Sequence, residues 1–319
     1  MAEWLVEEGI GEHRAVLLES DRIVEARVAW PGRLTAGSVI ETVLVARAAR
    51  SGRGTARAES GEEVLVDRLP RDSREGAKLR VQVLRAAIDG PGRLKRAQAR
   101  PSSEALKTVS MAEALGAAVV RRFPGGGWDD LVAEALYREV AFAGGALLFA
   151  PTAAMTTVDI DGDLAPRALA LAAVGPLASA LRRFDVGGSI AVDFPTLPDK
   201  EDRREVDATL GKVLAGWPHE RTAMNGFGLV QIVARFERPS LLQLAAWQRG
   251  AWVWRTLLRS AEALTGAGTI ELSIHPALES AVEPAHIAEL ERRSGKRVRV
   301  RKVATLAPEA PHAQLVPDA

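Results

Sequence analysis

The middle third of the chain alternates short apolar runs with helical patterns, and this alternation limits the fold more than any other feature. In chain order it predicts strands over 145–150 and 155–160, a helix over 167–183, a strand over 189–194, a helix over 200–214 and a strand over 227–236. Because strands that alternate with helices build a sheet covered by those helices, we expect an α/β layer with a largely buried sheet.

The segments before and after this layer have different patterns. Between Gly37 and Leu84, Val-rich runs separated by Gly, Ser and Pro recur at intervals that suit a small barrel of the OB type. Residues 13–28 predict a β-hairpin, and residues 110–122 predict an Ala-rich helix. After Pro239, a Trp-containing helix precedes a small α/β unit. A chain of 319 residues is long enough for these several subdomains.

Composition excludes some kinds of site and some classes of protein. The absence of cysteine excludes disulfides, thiolate zinc sites and cysteine nucleophiles, and it agrees with a reducing compartment. No window approaches the ~18 uninterrupted apolar residues of a membrane span. The acidic start MAEWLVEEG lacks the basic region of a signal peptide. We therefore expect a cytoplasmic protein without a membrane partner, in which oxygen or imidazole ligands hold any metal ion.

Two aspartates follow apolar residues of predicted strands. Asp159 ends the run Met155-Thr-Thr-Val-Asp, and Asp193 ends the run Ile190-Ala-Val-Asp. A carboxylate beside an apolar core is costly unless a partner neutralises it, and Mg²⁺ next to a phosphate substrate is usually held by such carboxylates. Asp161 and Asp163 lie within reach of the same edge. Two interpretations stay open from spacing alone: a metal site, or acids that cap the following helices.

Positive charge is clustered rather than abundant, since 42 Lys and Arg balance 41 Asp and Glu. The clusters are Arg93-Leu94-Lys95-Arg96, Arg182-Arg183 and the stretch 296–302. Arg-rich clusters suit bidentate phosphate contacts. The stretch 296–302 alternates with Val and is equally typical of a half-exposed strand, and Arg182 and Arg183 also suit a helix C-terminus.

Three segments together resemble the catalytic core of the ribonuclease E/G family. They are residues 146–162, 181–194 and 227–232, and they follow in the order and spacing of that core. The resemblance implies that Asp159 and Asp193 bind magnesium. Asp161 falls where the family usually has Asn, which orients the attacking water or the ligands, and Gln231 falls where it usually has Glu.

The resemblance extends more weakly over most of the chain and implies a fold. That fold is an RNase H-like and DNase I-like α/β catalytic core with an inserted OB-fold-like barrel and a small C-terminal α/β domain. The implied divisions are N-terminal strands of the RNase H-like subdomain (1–34), the barrel (35–98), a linker and helix in place of a sensor domain (99–127), the catalytic core (128–239) and the C-terminal domain (240–319).

The chain departs from the family pattern in three further ways. No aromatic residue occurs between Trp30 and Phe123, so the barrel lacks rings on which bases could stack. Residues 99–124 are too few for the family's sensor of the RNA 5′ end. The Cys-x-x-Cys segment that bridges subunits through zinc is absent. We expect no zinc, and any homo-oligomer would form without a zinc bridge.

By resemblance, the chain is a Mg²⁺-dependent endoribonuclease of RNA processing or decay, with Mn²⁺ as the alternative ion. It would hydrolyse single-stranded RNA to 5′-phosphate and 3′-hydroxyl ends. The implied site residues are Asp159, Asp161 and Asp193 for catalysis, the first and last of these for the metal, and Arg93, Lys95, Arg96, Arg182 and Arg183 for RNA. An RNA-binding protein with a degenerate or slow nuclease site is the alternative, and a metal-dependent phosphoesterase for a small substrate is a third.

Overall fold

The N-terminal segment forms an antiparallel meander. The structure, a computed structural model, describes residues 2–49 and 51–317, with the backbone alone for Arg93. The first strands are β1 (Glu3–Gly9), β2 (Glu12–Glu19) and β3 (Arg22–Ala29). The predicted hairpin is confirmed as β2 and β3, which are joined by Ser20 and Asp21 in the left-handed conformation. Strand β1 was not predicted, and it pairs with β2 along its whole length.

The following segment closes into a five-stranded barrel. Its elements are β4 (Val39–Arg47), β5 (Arg53–Ala58), β6 (Glu63–Asp67), β7 (Lys78–Arg85), the hairpin strands β8 (Ile88–Gly90) and β9 (Arg93–Lys95), and β10 (Ala97–Pro101). Around the barrel the order is β10-β6-β5-β4-β7, and β10 closes it by pairing parallel to β6 and antiparallel to β7. The predicted OB-like barrel is therefore confirmed, and its last strand continues past the predicted boundary at residue 98.

The segment after the barrel is not the long helix that its alanines predict. It contains only α1 (Met111–Leu115) and a short strand, β11 (Ala118–Val120). Gly116 adopts φ of 58° and ends the helix in the left-handed conformation. The Ala-Val-Val run then pairs parallel to β1, with Ala118 opposite Leu5. The predicted helix over 110–122 is therefore wrong, because pairing with a strand more than a hundred residues away outweighs helix propensity.

The central unit is a six-stranded mixed sheet with the order β12-β13-β14-β15-β17-β16. Its elements are α2 (Trp128–Tyr137), β12 (Glu139–Phe142), β13 (Gly145–Pro151), β14 (Thr156–Gly162), α3 (Pro166–Arg183), β15 (Gly188–Asp193), α4 (Lys200–Val213), β16 (His219–Arg221) and β17 (Leu229–Ala234). Each predicted strand and helix of this region is present. Only β14 and β15 pair in parallel, and α3 is the crossover between them.

One face of this sheet is covered and the other is open. On the covered face, alternate strand residues such as Val158, Ile190 and Val230 pack in one core with α3. On the open face, Leu148, Asp159, Asp193, Gln231 and Val233 are exposed. The sheet is therefore less buried than expected, because one face of the six strands is exposed to solvent. Among the described helices, none is both long and apolar enough to cross a bilayer.

The C-terminal segment adds helix α5 (Leu241–Trp247) to the central core, and helix α6 (Arg249–Glu262) then packs mainly in the core of a small C-terminal unit. Its other elements are β18 (Thr269–Ile274), a 3-10 helix (Pro276–Ala281), α7 (Pro284–Ser294), β19 (Val298–Lys302) and β20 (His312–Val316). The three strands form a sheet in the order β19-β18-β20. Trp252 belongs to the core of the central sheet, and Trp254 belongs to the core of the C-terminal unit.

A buried ion cluster joins the N-terminal sheet to helix α6. The Glu7 carboxylate is 3% exposed and accepts from both Arg259 Nε and Arg259 Nη2 at 3.0 Å. It also accepts from the backbone N–H of Phe123 at 2.6 Å and from Arg14 Nη1 at 3.3 Å. Burial acts to raise the pKa of Glu7, but the donors and charges of Arg259, Phe123 and Arg14 outweigh it, and the pKa lies below its ordinary 4.5.

We predict that Glu7→Gln lowers the free energy of unfolding at neutral pH by about 3 kcal/mol, because it leaves buried arginine charge without its partner. A carboxyl group whose pKa is lowered by folding stabilises the protein above its unfolded pKa and loses that effect as the pH falls through the folded pKa. The difference from the wild type should therefore shrink below pH 4.5. Urea unfolding at several pH values measures it. The exposed neighbour Glu8→Gln is the control, and a difference independent of pH would contradict the assignment.

Candidate metal centre on the open face

Asp159 and Asp193 are register partners on β14 and β15. Neighbouring strands lie ~4.8 Å apart, so the two side chains start from adjacent positions. Both carboxylates are exposed, while the residues before them, Val158 and Val192, are buried in the covered face. Because successive strand residues point to opposite faces, the two aspartates lie together on the open face.

The two aspartates differ in their position along the strands. Asp193 is the last residue of β15, as the sequence predicts. Asp159 lies in the middle of β14, which continues to Gly162 through pairing with β13. The predicted strand over 155–160 placed Asp159 next to its end, and the observed strand continues two residues further. The extension places Asp161 on the same open face, two residues further along β14.

The electrostatics of this pair favour a cation. Within residues 2–49 and 51–317, neither the Asp159 nor the Asp193 side chain forms a hydrogen bond or an ion pair. Like charges placed side by side across two strands are unfavourable, by about 1 kcal/mol at 4 Å in water. The alternative role as helix caps does not apply, because the N-cap residues of α3 and α4 are Ala165 and Asp199. A cation would relieve the repulsion that the fold leaves between them.

The donor set fits magnesium better than a metal that needs a complete protein cage. No group of three or more acidic or imidazole side chains in the described part of the chain could hold a metal ion. Mg²⁺ usually keeps several waters and takes one or two carboxylates, whereas a structural Zn²⁺ site needs four protein ligands. An exposed pair of carboxylates with room for water therefore suits Mg²⁺ or Mn²⁺.

Two further polar side chains lie beside the pair. Asp161 is exposed, and its Oδ1 accepts from the backbone N–H of Gly162 at 2.9 Å. Gln231 on β17 is exposed and lies opposite Ala191, two residues before Asp193. The open face therefore offers a third carboxylate and one amide close to the register pair.

The predicted RNA contacts Arg182 and Arg183 lie elsewhere. They end α3, which packs on the covered face and, as the crossover, runs back towards the start of β15. Arg182 forms an ion pair with Glu25 at 2.8 Å, and Arg183 forms one with Glu134 at 2.6 Å. The structure does not bring these arginines to the aspartates.

The basic cluster of the barrel lies at the opposite end of the sheet from Asp193. Arg96 forms an ion pair with Glu63 at 3.1 Å, and Lys95 Nζ lies 5.3 Å from the centre of the Phe236 ring. The side chain of Arg93 lies outside the described residues. Lys95 borders a cavity of about 480 Å³ between the β8–β9 hairpin and the first residues of β14 and β15. The length of β15, roughly 16 Å, separates this cavity from Asp193.

Sequence reasoning missed one exposed residue at the edge of the site. Phe227 precedes β17 and is 81% exposed. The sequence did contain a signal: in Asn225-Gly-Phe-Gly, a large apolar residue stands between two glycines. Such a sequence indicates a turn, and side chains in turns are commonly exposed.

No protein-family model matches this sequence, and no curated protein matches it. The geometry of the open face and the resemblance of its three segments are therefore what a functional assignment rests on.

We predict that Mg²⁺ stabilises the wild-type protein and that Asp159→Asn or Asp193→Asn removes this effect. A ligand that binds only the folded state at ten times its Kd stabilises by about 1.4 kcal/mol. Without metal, each variant should melt at the same temperature as the wild type or higher, because one of two adjacent like charges is gone. Thermal melting across a Mg²⁺ series measures both. Asp72→Asn, an exposed aspartate of the barrel, is the control, and an equal Mg²⁺ effect in all the proteins would exclude the site.

Proposed function

We propose that the protein is a Mg²⁺-dependent endoribonuclease of the ribonuclease E/G type, which hydrolyses single-stranded RNA to 5′-phosphate and 3′-hydroxyl ends. The observation that carries this proposal is the register pair of Asp159 and Asp193, exposed and without a partner among the described residues of the open face. Its position on neighbouring parallel strands agrees with the resemblance of the three segments. The proposal includes the finer fold assignment, an RNase H-like unit around β1–β3 and a DNase I-like central sheet.

The shape of the site favours a polymer over a small substrate. Neither aspartate lines the cavity of about 480 Å³ or the cavity of about 380 Å³ beside Trp30. Small-molecule sites are usually concave and enclose most of the ligand. An exposed pair on a six-stranded face suits an extended chain that crosses the sheet, and the OB-like barrel is a fold that commonly binds such chains. The small-substrate phosphoesterase is thus less well supported.

Four side chains of the open face would have roles in phosphodiester hydrolysis. Asp159 and Asp193 would hold the cation. Such a cation polarises a phosphoryl oxygen and lowers the pKa of a water. Asp161, whose orientation is fixed by the Gly162 N–H, can accept a hydrogen bond from the attacking water. The Gln231 amide can donate to a phosphate oxygen without adding negative charge.

An RNA-binding protein with a degenerate or slow nuclease is the second candidate. It is favoured by Asp161 and Gln231, which stand where the family usually has Asn and Glu. An extra negative charge at Asp161 would repel the scissile phosphate, and an amide at Gln231 cannot serve as a base.

We predict that the wild type cleaves an unstructured RNA in Mg²⁺ and that EDTA abolishes cleavage. Asp159→Asn and Asp193→Asn should each lower the rate at least ~100-fold, the scale on which a single group stabilises a transition state. Asp161→Asn should cleave as fast as the wild type or faster, because it removes charge facing the phosphate. Gel analysis with Asp72→Asn as the control measures the rates. RNA binding without cleavage in every variant would favour the second candidate.

We predict that the 5′ end of the RNA has little influence on the rate. The segment between the barrel and α2 contains only α1 and β11. An independent domain needs ~50 residues or more to bury a core, so this segment cannot form a 5′ sensor. One sequence prepared with a 5′-monophosphate, with a 5′-hydroxyl and as a circle should be cleaved at similar rates. A tenfold preference for the monophosphate, equivalent to ~1.4 kcal/mol, would show an anion site elsewhere.

A further inference from the structure

Phe227 is an aromatic side chain that the fold leaves in solvent. The chain has seven Phe, seven Trp and one Tyr, and of those within the described residues only Phe227, at 81%, and Tyr137, at 74%, are exposed. Burial of such a ring ordinarily stabilises a protein. The exposed Phe227 ring gains little of this stabilisation within the folded chain, and its faces are available for contact with a ligand.

The backbone that carries Phe227 is held firmly. The Asn225 side-chain oxygen accepts from the N–H groups of Phe227 at 2.9 Å and Leu229 at 3.0 Å. Asn225 also donates from its backbone N–H to the Leu229 carbonyl at 3.1 Å, and its own carbonyl accepts from Gly228 at 3.2 Å. Gly228 adopts φ of 91° and has the Phe194 carbonyl against the position of a Cβ. The turn therefore holds the ring in solvent and presents it from a rigid base.

This turn lies beside the aspartate pair. Leu229 is the register partner of Asp193, and the Gly228 carbonyl accepts from the N–H of Phe194 at 3.2 Å. Phe227 therefore directly precedes Gly228, whose carbonyl is hydrogen-bonded to Phe194, and Phe194 directly follows Asp193. The turn with Phe227 and the Asp159–Asp193 pair therefore lie at the same end of the strands, where β15 ends.

The barrel cannot supply an aromatic contact of this kind. Residues 31–122, which include all of its strands, contain no Phe, Trp or Tyr. Proteins that bind single-stranded nucleic acid combine basic residues along the backbone with rings on which bases stack. In this chain the exposed ring beside the candidate phosphate site is on the turn before β17 rather than on the barrel.

We infer that Phe227 is a base-stacking site for an unpaired nucleobase, the one next to the phosphate held at Asp159 and Asp193. This inference rests on the proposed function. Any base can stack on a phenyl ring, so the site selects for an unstacked, single-stranded nucleotide and not for a sequence. A base within a duplex keeps its faces covered and cannot occupy it.

The test measures binding on an Asp193→Asn background, in which the proposed cleavage is slowed at least ~100-fold. One probe is a fluorescent single-stranded RNA, and the other has the same length and phosphates but abasic residues at every position. Phe227→Ala should weaken binding of the normal RNA between about fivefold and 150-fold, the range for loss of a stacking ring. It should leave the abasic RNA unaffected, and Phe227→Trp should bind the normal RNA at least as tightly as Phe227.

Two matched variants distinguish stacking from a general apolar contact and from the mere loss of any exposed ring. Phe227→Leu keeps an apolar side chain without a ring and should bind like Phe227→Ala. Tyr137→Ala removes the other exposed ring and should change nothing. Melting temperatures should stay the same, because Phe227 supports no core. Equal affinity of Phe227→Ala and Phe227 for the normal RNA, equal losses for both RNAs, or full affinity with Phe227→Leu would each overturn the stacking site.

Failure of the proposed nuclease gives a different result. If the chain with Asp193 intact cleaves no RNA, but affinity for the normal RNA still depends on the Phe227 ring, the nuclease is wrong and the stacking site stands. If neither RNA binds to the protein that retains Phe227, the stacking site is overturned together with the RNA partner.

Discussion

The buried Glu7 carboxylate is the interaction that holds the N-terminal sheet to helix α6, which packs in both the central and the C-terminal cores. Its donors come from β2, from the segment that follows β11 and from α6, so one carboxylate joins the N-terminal sheet, the segment after it and a helix. A charge in that position is tolerated only because each oxygen accepts from an arginine or a backbone N–H. Helix α6 is thereby held to the N-terminal sheet, and it also contributes Trp252 to the central core and Trp254 to the C-terminal core. The central sheet packs one face against α3, while its other face is exposed and carries the aspartate pair.

The elements that were predicted correctly depend on local pattern. Apolar runs of strand length and the Ala/Leu periodicity of α3 are properties of neighbouring residues, and so are the Val-rich strands of the barrel. The predicted helix over 110–122 was wrong because Gly116 ends the helix and the following residues pair with β1. That pairing joins residues that are far apart in the sequence, so local pattern does not show it. The open face could have been predicted from Thr157, Asp159 and Asp161, which alternate with Val158 and Ile160 in a period of two.

The sequence identified the two aspartates of the candidate site, but it did not show which side chains lie around them. Asp159 and Asp193 were singled out by the strands that carry them, but their side-by-side register follows from β14 and β15 being the parallel pair of the sheet. Arg182 and Arg183 look free in the sequence, because Glu25 and Glu134 are far from them along the chain. Phe227 was missed because apolar residues are usually assigned to a core, and only three-dimensional packing shows which one is left outside.

Strand β17 connects the turn of Phe227 at one end of the sheet with the barrel region at the other. Its first residue follows the turn of Phe227, and beyond its last residue Phe236 lies under Arg85 and Lys95 of the barrel region. The barrel is tied to the same end, through the hydrogen bond from Ala86 N–H to the Glu237 carbonyl. An extended segment of this length spans roughly 25–30 Å and barely stretches. Under the proposed function, a single-stranded RNA that contacts both the Phe227 ring and the basic residues at the other end of β17 would have to cover this distance.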